Sequence, residues 1–174
     1  MNPKKISALL LGAIMILTLN CKKTGGDEQT AVQQPASKMR AVISMVLGKT
    51  VISKGSATQE VKRGTDITEA EYIQTFAGSR CVVLFSTGST LSLQENTKVK
   101  ISVFLPKGVR SEIANGSILM NVKRLTSDEE FSVGTPTAVA GVRGTKFYVR
   151  YDSATRNTRV AVKSGKVQVS PVIN

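Results

Sequence analysis

Histidine is absent from this chain of 174 residues, and tryptophan with it. Without histidine the chain loses the commonest general base, nucleophile activator and metal ligand at neutral pH. Cysteine occurs twice, at Cys21 and Cys81, too sparsely to build a disulfide framework. No Cys-x-x-Cys, His-Glu-x-x-His or Gly-x-Ser-x-Gly occurs. The acidic cluster Asp128-Glu129-Glu130 lacks the glycine-and-oxygen spacing of a calcium loop and reads as a solvated turn before Phe131. No pair of carboxylates stands out for acid–base work on a glycosidic bond. The expectation is therefore a protein without catalytic residues, metal or cofactor. Amphipathic helical periodicity is missing as well, and no apolar run reaches the ~18 to 20 residues that span a bilayer as a helix.

What the chain does have begins with Lys4 and Lys5 ahead of an apolar run, Ile6 to Leu19. A basic start and a short hydrophobic run are the parts of a secretory signal. The ending Thr18-Leu19-Asn20-Cys21 looks like a lipobox, although Asn20 stands where Gly, Ala or Ser is usual. The expected organisation is a signal helix over 1–20, a lipidated Cys21 opening a flexible tether over 21–38, and one folded domain over 39–174. The tether is rich in Gly, Gln, Thr, Asp and Glu with no apolar period. Acyl chains on Cys21 would hold the protein on a membrane through their buried methylenes. Export and membrane anchoring are expected, with the outer membrane of a bacterium as the location.

From Met39 onward short strand-like runs alternate with glycine-containing breaks. Arg40 to Leu47, Thr50 to Ser53, Tyr72 to Thr75, Arg80 to Phe85 and Thr90 to Leu93 are expected strands. Arg63-Gly64-Thr65-Asp66 and Ser86-Thr87-Gly88-Ser89 are expected turns, and Thr68 to Glu71 a loop with at most one helical turn. Val99, Ile101 and Val103 alternate with polar neighbours, as do Ile118, Met120 and Val122. Arg159 to Lys163 and Lys166 to Val169 read as a closing pair around Ser164-Gly165. Cys81, beside Val82, Val83 and Leu84, reads as a buried strand thiol. Strand starts recur roughly every ten residues, which points to an all-β fold. The arrangement is expected to be β-solenoid-like or a β-roll, with a small β-sandwich as the alternative.

The least generic stretch runs from Thr135 to Val149. Pro136 fixes a backbone angle, Gly141 and Gly144 permit tight backbone, and Phe147, Val149 and Tyr151 fall on one face of a strand opposite Lys146, Tyr148 and Arg150. Its Gly-Val-Arg-Gly-Thr-Lys core is not a phosphate loop, because Thr precedes Lys and a strand comes next. Thr135, Pro136, Ala138, Val142, Arg143, Gly144, Thr145 and Phe147 resemble the signature of the FecR domain family. The likeness extends through Ile73-Gln74-Thr75, Leu84-Phe85, Gly88-Ser89, Leu91 and Leu93, and through Val160-Ala161-Val162 and Gly165 to Val169. The resemblance implies an all-β, solenoid-like architecture. It also implies kinship with regulators of iron-uptake signalling, which join such a domain to a cytoplasmic segment that holds a sigma factor. The sequence ahead of Met39 is not expected to supply that segment. Arg143 is the charged residue inside the signature, whose loop is expected to be structural or partner-binding. Its small neighbours suggest a buried brace whose five donors satisfy turn carbonyls, with a ligand-contacting cation on a turn as the alternative.

Basic residues number 24 against 12 acids. Loss of Lys4 and Lys5 with the signal leaves 22 against the same 12, a net charge of +10. Long-range attraction then favours anionic partners. For an exported protein these are acidic glycans or envelope components rather than nucleic acid. Lys98, Lys100, Lys107 and Arg110, and then Lys123 with Arg124, are the local clusters. The function expected is a lipid-anchored, non-catalytic binding or scaffold module for an envelope protein or an anionic glycan. The alternative is the sensor part of a FecR-type signalling system.

Overall fold

Short alternating runs, broken by residues that turn easily, form fourteen strands in the computed structural model, which describes residues 39–68, 71–105, 108–123 and 130–173. The signal segment, Cys21, the tether, residues 69–70, Lys107, Arg124, Asp128 and Glu129 lie outside the described residues. No helix occurs among the described residues, and the all-β expectation holds.

The strands join into a curled, largely antiparallel sheet with two arms. Its first arm runs in the order β4 (Asp66–Ile67), β1 (Ala41–Leu47), β6 (Arg80–Phe85), β7 (Thr90–Leu93), β9 (Gly108–Asn121), β12 (Lys146–Asp152) and β13 (Asn157–Ser164). The second runs β3 (Ala57–Glu60), β2 (Thr50–Lys54), β5 (Glu71–Thr75), β8 (Lys98–Leu105), β9, β10 (Glu130–Gly134), β11 (Ala138–Val142) and β14 (Val167–Pro171). Strand β9 belongs to both. Its first half pairs with β8 and, in parallel, with β10, while its second half pairs with β7 and β12.

The change of partners falls at Gly116. This residue has φ +94, and a Cβ there would lie 2.5 Å from Thr97 Cα and 2.6 Å from the Asn96 carbonyl oxygen. A side chain is excluded twice over, by backbone conformation and by contact.

Period-two burial carries the core. Along β6 and β12, Cys81, Val83 and Phe85, then Phe147, Val149 and Tyr151, point inward while their neighbours face out. Both arms feed one cluster, and Phe85 of the first meets Phe131 of the second edge to face, with ring centres 5.4 Å apart.

Two expectations about the chain path change. The strands flanking Ser164-Gly165 do not pair with each other. Strand β13 extends the first arm beside β12, and β14 crosses to the second arm beside β11. Each finds an open edge of the sheet, and half-buried Val160 and Val167 pack on the core from the two arms. Gly141 is not a tight turn either: it lies within β11, paired on both sides, without positive φ.

Candidate functional site

Where the chain turns into a strand, a buried hydroxyl recurs. Gly78-Ser79, Gly88-Ser89, Asn96-Thr97 and Gly144-Thr145 each place a residue of positive φ before a Ser or Thr that is at most 4% exposed. Ser79 Oγ accepts from Lys49 N, Ser89 Oγ from Lys123 N and Thr97 Oγ1 from Ser117 N. Thr145 Oγ1 donates to the Lys166 carbonyl oxygen at 2.9 Å. These hydroxyls take up backbone groups at the corners and, at Ser117, on the edge of β9 just before β7 joins it, which is how a small β-domain satisfies its backbone. The four-residue pattern of turn residue, hydroxyl, polar, apolar is visible in the sequence once it is sought at those positions.

The signature segment is built from the same parts. Thr135 Oγ1 accepts from Ala138 N at 2.9 Å and meets Thr158 Oγ1 at 2.7 Å, and Thr158 Oγ1 also meets Thr137 Oγ1 at 2.7 Å. Ala138 and Val142 bound β11, with Val142 buried; Phe147 is fully buried in β12. Pro136 is exposed and lines, with Thr135, Arg110 and Val139, a depression of about 320 Å³. Gly144 carries φ +65 at the corner before Thr145. Arg143 corrects the brace expectation: it is exposed at this corner, and among the described residues its guanidinium has no hydrogen-bond partner. The hydroxyls of Thr135 and Thr145 do the bracing, and the arginine faces outward.

A larger groove of about 700 Å³ lies elsewhere, at one end of the first arm's strands. Arg80, Gln94, Glu95, Asn96, Asn115, Ser117, Arg150 and Asp152 are among its lining residues. An adjoining depression of about 280 Å³ shares Arg150 and Asp152 and adds Thr155, Asn157 and Arg159. Arg150 and Arg159 are direct cross-strand partners on β12 and β13, both exposed. The carboxylates nearby are engaged by backbone. Glu95 Oε2 accepts from Gly78 N at 2.8 Å, and Asp152 Oδ1 from Ala154 N at 2.9 Å and Thr155 N at 3.1 Å. The backbone N–H of Thr155, then that of Ala154, with Arg150 nearby, hold the Asp152 carboxyl below its ordinary pKa.

The basic clusters read from the sequence fare differently. Lys98 and Lys100 place their Nζ atoms over the ring of Tyr72, at 4.9 and 5.7 Å from its centre. The concentration of arginine arises instead from positions 80, 150 and 159, which no local run connects. Cys81 is fully buried in β6, and burial raises its thiol pKa to about 12. Among the described residues no group of three His, Cys, Asp or Glu side chains is placed to hold a metal ion.

The family model described as FecR protein matches residues 71–168, more than half of the chain. No functionally curated protein matches. Two crystal structures of a candidate anti-sigma factor from Parabacteroides distasonis, at 1.65 and 2.50 Å resolution, are similar in fold and sequence. Each gives a TM-score of 0.52 and 26% identity over 57% of this chain. The aligned part covers 47% and 46% of those chains, so this chain matches about half the length of each.

Proposed function

The chain belongs to the FecR protein family, and from that premise we propose that it is a lipid-anchored, non-catalytic recognition module of a bacterial envelope. The observation that carries this reading is the polar, arginine-flanked groove at one end of the first arm. It is open, lined by hydrogen-bonding side chains, and supplies no nucleophile paired with a base. Cys21, behind an apolar run and ahead of a polar tether, supports attachment through acyl chains. The domain then sits within tens of ångströms of the bilayer, at roughly 5–6 Å times the square root of the tether length.

A second reading has its own support. The likeness to a candidate anti-sigma factor supports a FecR-type signalling component, with the groove as its sensing end. The two readings share the same recognition step and differ in whether a signal is passed on after it.

The test is fractionation of cells expressing the full chain or its Cys21→Ser variant, with a fatty-acid label. The anchored reading expects labelled protein in the membrane fraction and an unlabelled variant. Undiminished labelling of Cys21→Ser would overturn the anchor. Retention of the purified protein on envelope extract tests recognition itself.

A further inference from the structure

We propose that the outer face of the first arm binds an anionic glycan, laid across the strands along Arg80, Gln94, Ser117, Arg150 and Arg159. This deepens the recognition reading above and rests on it.

The row arises from register. Arg80 and Gln94 lie one step beyond the paired residues Cys81 and Leu93, and Gln94 N donates to the Ser117 carbonyl oxygen at 3.0 Å. Ser117 pairs with Arg150, and Arg150 with Arg159. Successive members sit on neighbouring strands, β6, β7's end, β9, β12 and β13, so at ~4.8 Å per strand the row extends about 19 Å. Its residues are exposed or half-buried and lie out of phase with the core face.

The charge is unbalanced at this place. Like charges directly opposite each other on adjacent strands repel, yet Arg150 and Arg159 are so placed. Glu95 accepts from one backbone N–H and Asp152 from two, and both keep their negative charge, Asp152 with Arg150 nearby, so Arg80, Arg150 and Arg159 still outnumber the carboxylates. Among the described residues the one ion pair is Arg40 with Asp66, away from the row. A bound carboxylate or sulfate between the guanidinium groups resolves the repulsion, and the planar fork suits both oxyanions.

The rest of the lining selects a glycan over an acidic protein. Asn96 and Ser117 offer an amide and a hydroxyl, and Gln94 its amide oxygen, which match a ligand rich in hydroxyl groups, while Asn115 and Ser153 are hydrogen-bonded to each other. Extended peptides dock on strand edges. In this row the donors stand on the face of the sheet. Beside it, Tyr148 pairs with Leu119, giving an open apolar strip for the C–H faces of sugar rings.

The experiment measures binding of the full chain, purified in detergent, to polygalacturonate, dextran sulfate, neutral dextran, poly-glutamate and envelope extract. The wild type is expected to bind the first two polymers and not neutral dextran. Arg150→Gln with Arg159→Gln should weaken that binding at least tenfold, with a melting temperature equal to or above the parent's. Lys62→Gln with Arg63→Gln removes the same charge from a turn outside the row and should change it less than twofold. Unchanged affinity of the Arg150/Arg159 variant, or equal losses in both variants, overturns the site. Poly-glutamate binding as tight as polygalacturonate, and lost with the same arginines, overturns the glycan in favour of an acidic protein. Retention on envelope extract without binding to either anionic glycan overturns this inference and leaves the recognition module standing. Glycan binding without envelope retention does the reverse.

Discussion

The hydroxyl of Thr145 donates to the carbonyl oxygen of Lys166 at 2.9 Å, joining the signature corner to the corner where the chain crosses from β13 to β14. The Thr145 carbonyl oxygen in turn accepts from Val122 N at 2.9 Å, at the end of β9. One buried residue thus links three chain segments. Thr145→Val keeps the shape and removes the donor. It should destabilise the fold by about 1 to 3 kcal/mol, the cost of leaving a partly buried carbonyl unpaired. Thr145→Ser should recover most of the loss in urea unfolding; a valine variant as stable as the parent would contradict the bracing role.

Thr50 gives the opposite sign. It is fully buried on β2, and its Oγ1 has no hydrogen-bond partner among the described residues. A buried hydroxyl without a partner is a cost, and valine has nearly the same outline. Thr50→Val should raise stability by about 1 kcal/mol. A loss of that size would mean the hydroxyl is satisfied.

Arg143 should be dispensable for stability. Its exposure places Arg143→Ala among surface substitutions, within about 0.5 kcal/mol of the parent. Urea midpoints of Arg143→Ala and Arg143→Lys should coincide with the wild type. A large loss in both would restore the brace.

The Cys81 thiol predicts a pH dependence. Its pKa rises from 9.0 to about 12 because burial disfavours the thiolate. The folded state then keeps a proton that the unfolded chain releases. This contribution is fully present below pH 9.0 and is lost as pH rises towards about 12. The stability gap between wild type and Cys81→Ala should therefore narrow as pH rises from 9.0 towards about 12. A gap that stays constant would place the thiol in contact with water.

Much of the fold is legible in the sequence because its signals are local. Alternation in Cys81 to Phe85 and Phe147 to Tyr151 marks both the strands and their inward faces, and Gly88 and Gly64 mark real turns. The partners of β13 and β14 are not legible. A glycine between two strand-like runs signals a hairpin, and the crossing to another arm depends on which edges remain open. Arg143 misleads for a related reason: its small neighbours suggest a loop entering the core, whereas Ala138 to Val142 form a strand with one buried side. The groove is half legible. Arg150 stands out of phase with the core face of β12, but its meeting with Arg159 and alignment with Arg80 depend on register between distant segments.

Hydrogen exchange on the full chain, with and without envelope extract, tests the central claim most directly. A recognition module acting through the groove predicts slowed exchange at the start of β6, at 94–96, at 116–117 and across the β12–β13 turn. Exchange at β3 and β14 should stay unchanged. Protection confined to the signature corner from Thr135 to Thr145, or no protection anywhere, would contradict it.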